Sequence, residues 1–580
     1  MKKMMILTML VASMAVMSAC TADDPFDSFS NNGFNQNGTN TGGTMGGNGN
    51  STAGSGELLS FSVVLDRETS EPTDKADAYY PEEEDNISNN TFDTAISIDL
   101  SNPVAKTENG VTVTVNGGHV TADHGSVKGI CYNVTGSTSN GSLTILGEKK
   151  YAVKLNGVSI TNPDSAALNL LSKKRAFVML SDGTSNTLKD GTTSVNDHKG
   201  ALYCKGKLLF SGTGSLEVYG SYNNAIHSAD YILFSTGNNI YAKSTANHGI
   251  KANDGIFING GILNVEVSAA AAKGINCESN IMVNGGRTTV ITTGNGTYDT
   301  TDKEAKGAAC FKADSTFTIN GGELRLKSTG AGGKGINADG DADFNGGTVY
   351  VITEGRQYSS NNDTSSPKGI KADGDVNIKG GAIWVRTSGT NGEGIESKSK
   401  LNISDGTVMV SAYDDAINSS GDLTISGGNV TVIGTNNDGL DSNGNMYLKG
   451  GTVIAMGAGG AEAGIDINEQ KKLYISGGNI FGIGGRFDGS LGSTTQGIAT
   501  TTGSVSANST VTITSGSTTL ASFAMPPYSY NNGTIVVSAP DMKSGSSYTL
   551  NLGSQSVTIT ASNSVSGGMG GMGGNRPGGW

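Results

Sequence analysis

A short motif recurs along the chain from about residue 200 to residue 480, and it constrains the fold more than any other feature. Each copy has a polar or charged residue, a Gly-Ile step, a short apolar strand and then a Gly-Gly pair. The positions that align with the glycine of the Gly-Ile step are Gly200, Ala225, Gly249, Gly274, Cys310, Gly335, Gly369, Gly394, Ala416, Gly439 and Gly464. Neighbouring copies lie 22 to 36 residues apart, and the Gly-Gly pairs follow nearly the same spacing. Periods of this length are typical of solenoids, because one unit cannot bury its apolar face alone.

Within one copy, apolar and polar residues alternate. In the stretch 368–386, Ile370, Val376 and Ile383 fall on one side of short strands that Gly, Asp and Asn separate. No stretch keeps the three-to-four spacing of a helix, and the 87 glycines would be costly inside helices. The Leu-x-x-Leu-x-Leu pattern of leucine-rich repeats is absent. We therefore predict an all-β fold, a right-handed, single-stranded parallel β-helix whose Gly-Gly pairs make tight corners.

The composition divides the rest of the chain into further segments. Residues 1–19 have a basic start, an apolar middle and small residues before Cys20, which resembles a bacterial lipoprotein signal peptide with Cys20 as the lipidated residue. An ordinary secretory signal is the alternative. Residues 20–56 are rich in Gly, Asn, Ser and Thr, and we predict that they form a flexible linker. The remaining predicted segments are an N-terminal cap (57–115), the parallel β-helix (116–500), a C-terminal β cap (501–561) and a disordered Gly-rich tail (562–580).

The ends of the chain and its net charge suggest a location and exclude one class of partner. Lipids on Cys20 would anchor the protein to the outer membrane, and the acidic residues 21–24 suggest the cell surface. The net charge of −13 argues against nucleic acid as a partner. It is compatible with cations and with neutral or cation-bridged polymers. We expect a monomer.

The outward positions beside the Gly-Ile step change from basic to acidic along the solenoid. The basic positions are Lys273, Lys312, Lys334, Lys368 and Lys371. The acidic positions and their neighbours, which we predict to bind calcium, are Glu393, Glu396, Asp414, Asp415, Asn418, Asp438, Asp441 and Asp466. Like charges about 5 Å apart on adjacent coils repel by about 1 kcal/mol per pair in water, and calcium accepts several oxygen ligands. The alternative is a solvated acidic face that water and nearby lysines satisfy.

A different outward column follows the third strand of each copy. It reads Asn264, Thr289, Arg325, Tyr350, Trp384, Met409 and Thr431. Tyr350 and Trp384 fall on neighbouring coils, and flat aromatic rings are natural platforms for sugar faces. We therefore include Arg325, Tyr350 and Trp384 with the five lysines as candidate carbohydrate-binding residues. The alternative is that the loops inserted at about 294–305 and 353–366 cover the two rings.

Catalysis is not expected. A lyase or glycosidase on this fold needs a base or a pair of carboxylates. A repeating surface supplies close carboxylates by default, so their presence says little. The five histidines form no Ser-His-Asp or metal-binding pattern.

The copies at 334–347, 415–428 and 438–444 resemble a family of bacterial β-helix proteins that bind carbohydrate, and the similarity covers about residues 95–560. The resemblance implies a pectate-lyase-like fold, bound calcium and an association with plant polysaccharides such as polygalacturonate or cellulose, without established catalysis. It also implies that the calcium ligands include Asp414, Asp415, Asp438 and Asp441. Ala416 and Asn418 depart from the family pattern in one coil.

Together these observations predict a surface lipoprotein that binds polysaccharide through a calcium-containing β-helix. With an acidic glycan, calcium would bridge some carboxylates to the acidic half, and the lysines would pair with others. An adhesin or structural surface protein is the first alternative, because the Asn/Thr-rich exterior and the long linker would suffice for it. A polysaccharide lyase or glycosidase is the second.

Overall fold

The computed structural model describes residues 52–56, 59–65, 70–487 and 489–564. Parallel strands wind through about 15 turns, which confirms the predicted parallel β-helix. Among the described residues the helices are two 3-10 turns, Glu83–Asp85 and Ile87–Asn89. No helix there is long and apolar enough to cross a membrane. The predicted signal peptide 1–19, Cys20, most of the predicted linker and residues 565–580 lie outside the described residues.

Face A of the solenoid carries the Gly-Ile steps in a sheet of 16 strands. These are Lys106–Glu108, Val111–Asn116, Gly118–Asp123, Gly141–Leu146, Leu168–Leu170, Gly200–Cys204, Asn224–Ser228, Ile250–Ala252, Lys273–Cys277, Ala309–Ala313, Lys334–Ala338, Lys368–Ala372, Glu393–Ser397, Ile417–Ser419, Leu440–Ser442 and Ile465–Ile467. The isoleucines stack in the core, where Ile336 pairs with Ile370 and Ile370 with Ile395. The glycine is required because a Cβ on Gly335 would lie 2.2 Å from Val351 Cγ1.

Faces B and C belong to a second sheet, of 31 strands. Face B contains Thr94–Asp99, Ile130–Thr135, Tyr151–Leu155, Ala176–Leu180, Leu208–Gly212, Tyr231–Phe234, Gly255–Ile258, Ile281–Val283, Phe317–Ile319, Ala342–Phe344, Val376–Ile378, Leu401–Ile403 and Leu423–Ile425. Face C contains Ser137–Thr138, Ser159–Asn162, Ser185–Asp190, Ser215–Gly220, Asn239–Ser244, Ile262–Val267, Arg287–Thr292, Glu323–Ser328, Thr348–Thr353, Ala382–Thr387, Thr407–Ala412 and Asn429–Gly434. Met446–Met456 and Lys472–Gly484 run through both faces, and Ser490–Leu491, Ile498–Val505, Tyr528–Ser538 and Thr52–Gly56 complete the sheet.

The Gly-Gly pairs form the corner between faces B and C, as predicted. The second residue of each pair has a φ between +75° and +88°, at Gly261, Gly286, Gly322, Gly347, Gly381, Gly428, Gly451 and Gly478, and Gly406 of the corresponding Asp-Gly pair has a φ of +96°. Residues other than glycine rarely adopt this backbone conformation. A Cβ on Gly347 would also lie 2.9 Å from the carbonyl oxygen of Gly322 in the coil below. Each corner therefore needs glycine for two reasons.

The predicted register is correct from Ala225 onward and wrong by one residue at the first copy. Leu202 pairs with Ile226, so Ala201 rather than Gly200 is the equivalent of Ala225. Leu202 consequently points into the core, where it is fully buried. Gly and Ala are adjacent and both small at this copy, so the sequence pattern fits either alignment.

The two long intervals in the repeat contain short antiparallel hairpins between face C and the next strand of face A. Thr297–Asp299 pairs with Glu304–Lys306, and Tyr358–Ser360 pairs with Asp363–Ser365. The two hairpins also contact each other, since the backbone N–H of Ala305 donates to Asp363 Oδ2 at 2.6 Å. They stand beside the start of the face A strands.

The described residues from 59 to 92, which we call the strap, follow the outside of the solenoid. Before the strap, Thr52–Gly56 pairs antiparallel with Tyr528–Ser538 at the C-terminal end of the solenoid. The strap then passes Asn259, whose side chain exchanges two hydrogen bonds with the backbone of Tyr79. It ends near Arg175, whose Nε donates to Asp85 Oδ1 at 2.8 Å.

The structure therefore differs from the predicted linker 20–56 and the predicted cap 57–115. Residues 52–56 form a strand, and the first coil begins at Thr94–Asp99, inside the region predicted as the N-terminal cap. The apolar residues Leu59 and Phe61 alternate with polar ones, and they bury their side chains against outward-facing residues of face C. A segment with one apolar side and no partner of its own gains stability by such contacts.

The C-terminal segment covers the last coil. A four-stranded antiparallel sheet is formed by Thr518–Ala524, Thr510–Ser515, Ser547–Leu552 and Ser556–Thr560. Its buried residues Phe523 and Leu550 belong to one apolar cluster with Phe481 of the last long strand. The cap thereby shields a strand edge that the solenoid would otherwise expose.

Candidate functional site

Face A brings the predicted charged residues together in two continuous rows. The inner row contains Lys273, Ala309, Lys334, Lys368 and Glu393, which pair from coil to coil, and Asp415 and Asp438 follow. The outer row contains Asn276, Lys312, Asn337, Lys371, Glu396, Asn418, Asp441 and Asp466. Both rows change sign between the same two coils. The predicted split of the charges is therefore present in the structure, but Lys368, Glu396, Asp415 and Asp438 are buried rather than fully outward-facing.

Two lysines of the inner row have only uncharged partners among the described residues. Lys273 Nζ donates to the carbonyl oxygens of Ala271, at 2.7 Å, and of Gly307. Lys334 Nζ donates to Ser365 Oγ at 2.8 Å and to the carbonyl oxygen of Gly332 at 3.3 Å. Solvent still reaches both side chains, although protein surrounds them on most sides.

The pKa values of these two amines are low for lysine. Burial, followed by the charges of other lysines nearby, lowers the pKa of Lys334 to about 7. Burial and then the charge of Lys312 lower the pKa of Lys273 to about 8. Both amines therefore titrate near neutral pH, and an anion placed beside them would favour their charged form.

The lysines of the outer row already have carboxylate partners. Lys312 Nζ lies 2.9 Å from Asp314 Oδ1 and 2.5 Å from Asp339 Oδ1. Lys371 Nζ lies 2.6 Å from Asp373 Oδ1. These aspartates come from the turn that follows the strand, so the outer lysines offer less free charge than the inner ones.

Lys368 lies at the junction where both rows change sign. Its Nζ is 2.7 Å from Glu393 Oε1 and 3.3 Å from Glu396 Oε1, and Lys398 Nζ is 2.5 Å from the same oxygen of Glu396. Burial raises the pKa of Glu393 to about 7, against the effect of Lys368. Burial also acts to raise the pKa of Glu396, but Lys368 and Lys398 outweigh it and hold that pKa below its usual value.

The acidic half of the inner row is crowded with carboxyl groups. Asp415 accepts hydrogen bonds from the backbone N–H of Asp438 at 3.1 Å and from Asn418 Nδ2 at 3.2 Å. Burial, followed by the charge of Asp441, raises the pKa of Asp415 to about 9. Burial raises the pKa of Asp438 to about 8, although the backbone N–H of Ala463 donates to it. Both acids therefore favour their protonated forms at neutral pH.

The geometry does not form a ready calcium site within the described ranges. No three His, Cys, Asp or Glu side chains there are placed to hold one metal ion. Glu393 and Glu396 each turn one oxygen toward a lysine, and Asn418 presents its amide N–H rather than its oxygen to Asp415. Asp414 accepts from Asn437 Nδ2 at 2.7 Å. Calcium binding stays a prediction, and the contacts of Lys273 and Lys334 do not depend on it.

The predicted aromatic column lies on face C and is therefore separate from the two charged rows. Tyr350 and Trp384 are neighbours, as predicted, with ring centroids 4.6 Å apart. The strap covers them, because the Phe61 ring lies 5.4 Å from that of Tyr350 in a cluster that also includes Trp384. Arg325 Nε donates to Glu323 Oε1 at 2.5 Å on the same face. A sugar could stack on this pair only where the strap leaves it open.

The sequence did not indicate how the hairpins would sit relative to the lysines. Gly307 ends the first insertion, and Ser365 belongs to the second, and each provides an oxygen to an inner-row lysine. The position of the two insertions in the repeat could have indicated this arrangement, because they directly precede Ala309 and Lys368. An insertion at that point must emerge beside the inner row.

The fold and the two rows define a β-solenoid with a long charged face. A family model described as carbohydrate-binding domain-containing protein matches residues 107–269, 243–415 and 388–569. Together these matches span most of the chain, which therefore belongs to this family of carbohydrate-binding domain-containing proteins.

Two further similarities are more limited. A carbohydrate-binding domain-containing protein of Acetivibrio thermocellus is 29% identical over 121 residues, which are 20% of this chain and 42% of that relative. The match thus spans less than half of the relative's length. The solved structure of the polysaccharide lyase-like protein from C. thermocellum, a gadolinium derivative, is 22% identical, with a TM-score of 0.34. The matched region covers 50% of this chain and 96% of the chain in that structure.

Proposed function

We propose that the chain binds an anionic polysaccharide along face A, where the ammonium groups of Lys273 and Lys334 receive carboxylates of the ligand. The observation that carries this proposal is a pair of partly exposed lysine side chains whose amines have no carboxylate partner among the described residues. A poorly solvated ammonium group is costly unless an anion lies beside it. A carboxylate of the ligand would supply that anion.

The spacing of the two lysines suits a polymer rather than a single sugar acid. Lys273 and Lys334 are two coils apart, with Ala309 between them. Their backbones are therefore separated by about 10 Å, given the usual distance between neighbouring strands. A chain that carries a negative charge on each repeating unit can reach both amines at once. The second contact then forms at high effective concentration and raises the overall affinity.

We further propose that the protein is a cell-surface lipoprotein that binds polysaccharide without cleaving it. The lysine contacts need no metal, so they can be separated by experiment from the predicted calcium. Polygalacturonate represents an anionic polysaccharide, and a neutral glucan represents an uncharged one. Binding of only the first, with no change in the presence of a chelator, would assign recognition to the lysines.

The test is titration calorimetry with these two polymers. We expect binding of polygalacturonate and a loss of at least about tenfold in affinity when Lys273 and Lys334 are both replaced by Met, since each charged hydrogen bond contributes about 1.5–3 kcal/mol. The matched control is Lys379→Met, which removes one positive charge at an exposed position outside the two rows. Equal affinity in the double variant and the wild type would reject the lysine contacts. Absence of any binding to the acidic polymer would reject the proposal.

A polysaccharide lyase is the second candidate, and one observation favours it. With a pKa of about 7, Lys334 holds a free amine in about half of the molecules at neutral pH. A general base must be unprotonated to accept a proton, and it works best when its pKa is near the working pH. Unsaturated products detected by ultraviolet absorbance, and their loss in Lys334→Met, would support this function. A constant absorbance over a long incubation would exclude it for the polymer tested.

A further inference from the structure

One ammonium group and two carboxyl groups converge where the rows change sign. Lys368 pairs in register with Glu393 across two adjacent strands of face A, and its Nζ lies 2.7 Å from Glu393 Oε1. The same Nζ lies 3.3 Å from Glu396 Oε1. The exposed fractions of the three side chains are 10% for Lys368, 12% for Glu393 and 4% for Glu396. The group is therefore largely shielded from water.

This arrangement leaves polar atoms without partners. Atom Oε2 of Glu393 and atom Oε2 of Glu396 are both buried and accept no hydrogen bond from any residue that the structure describes. A buried polar atom that lacks its hydrogen bond costs about 1–3 kcal/mol, and more when the group is charged. Lys398 contacts only the Oε1 atom of Glu396, so it relieves neither of them. An ordinary ion pair leaves this cost in place.

We propose that Lys368 and Glu393 condense to an intramolecular amide that joins two adjacent coils, with Glu396 as the acid–base group. The amide removes the buried ammonium charge of Lys368 and one of the two carboxyl oxygens of Glu393. The reacting groups are held at hydrogen-bonding distance by strand pairing, and such fixed geometry gives intramolecular reactions very high effective concentrations.

The step balances without an oxidant or a cofactor. The carboxylate of Glu396 takes a proton from the ammonium of Lys368, and the freed amine attacks Cδ of protonated Glu393. A bond forms between Nζ and Cδ, and a C–O bond of Glu393 breaks. Glu396 passes a proton to the departing hydroxyl and regains one from the nitrogen, so one water leaves. The products are the amide, one water molecule and protonated Glu396, which then releases its proton to solvent.

Other lysine–carboxylate contacts on face A lack this geometry. Lys371 contacts Asp373, which lies two residues away in the same coil and is well exposed. Lys312 contacts two aspartates, but both of these are also well exposed. Water satisfies such groups, so condensation would gain little. Among these contacts, only the Lys368 group joins two adjacent coils and is also buried. It alone has a second carboxyl group close to the nitrogen that would react.

The test is peptide mapping of the full chain by mass spectrometry after denaturation and trypsin digestion. Trypsin cannot cleave after a lysine whose amine is part of an amide. We expect a branched peptide that contains both Lys368 and Glu393 and is lighter by one water than the sum of its two parts. Recovery of the two segments only as separate peptides of full mass would overturn the proposal. This measurement uses the wild-type chain, so it does not require that any variant folds correctly.

Two variants sharpen the assignment. Lys368→Arg keeps the charge but should lack the branched peptide, and a loss of water that persists there would overturn the proposal. In Glu396→Gln we expect the branched peptide to be absent or to form more slowly. Undiminished cross-linking in that variant would overturn the role given to Glu396.

Discussion

Binding of the acidic polysaccharide should weaken as the pH rises from 6 to 9, because the ligand requires the charged form of two lysines with low pKa values. With a pKa of about 7, Lys334 is protonated in about 90% of molecules at pH 6 and in about 1% at pH 9. With a pKa of about 8, Lys273 falls from about 99% to about 9%. The sugar carboxylates, with pKa values near 4, stay ionised throughout.

The size of the effect is limited by the strength of the contacts. A charged hydrogen bond is worth about 1.5–3 kcal/mol, which corresponds to about a 10- to 100-fold change in affinity. Because two such contacts weaken between pH 6 and pH 9, we expect the dissociation constant to rise by at least about tenfold over this range. A bound carboxylate raises the pKa of each lysine, so binding takes up protons. At pH 7.5, about three-quarters of Lys334 and about one-quarter of Lys273 are unprotonated, which predicts uptake of about one proton.

Titration calorimetry in two buffers with different ionisation enthalpies measures this uptake directly. The double replacement of Lys273 and Lys334 by Met should abolish the proton uptake and flatten the pH profile, whereas Lys379→Met should leave both unchanged. Zero proton uptake at pH 7.5 in a wild-type chain that binds the polymer would refute the reasoning. A pH dependence of the same size in the double variant would refute it as well.

Three further predictions concern stability and the strap. Phe61→Ala should loosen the strap and expose Trp384, seen as a red shift of tryptophan fluorescence, whereas Val64→Ala, at a position that is 56% exposed, should not. Gly347→Ala should lower the free energy of unfolding in urea by at least about 1 kcal/mol, since its φ is +78° and its Cβ would clash; an unchanged midpoint would contradict the corner geometry. Arg175→Ala should leave the buried Asp85 carboxylate with hydrogen bonds from Tyr231 and the Glu82 backbone but without its cation, cost about 3 kcal/mol locally and speed proteolysis of the strap. An unchanged cleavage rate would show that this contact does not hold the strap.

Much of the solenoid could be predicted because its constraints act at every coil. The Gly-Ile step shows in the sequence, since any larger residue at Gly335 would collide with Val351. The charge reversal between Lys368 and Glu393 could be predicted for the same reason, because strand pairing carries a repeat position straight onto the next coil.

The strap and the balance of charges could not be predicted in the same way. The alternation around Phe61 indicates a strand, but its contact with Tyr350 spans almost 300 residues of sequence, and no local pattern encodes it. The lysines look alike in sequence. Whether one finds a carboxylate, as Lys371 does with Asp373, or only carbonyl and hydroxyl oxygens, as Lys334 does, depends on side-chain reach and on the inserted hairpins.

The path of the strap has a mechanical consequence. Because Thr52–Gly56 pairs at the C-terminal end, the chain that precedes it joins the folded body there, beside the last coil. If Cys20 carries a lipid, as the sequence predicts, the last coil would lie beside the point where the anchored chain enters the solenoid, and the first coil would lie at the opposite end. A pull on a bound polymer would load the strand at Thr52–Gly56 and then the strap, before any coil. The strap would give way in sequence from that end, so a few contacts at a time would release under force while the solenoid stayed wound.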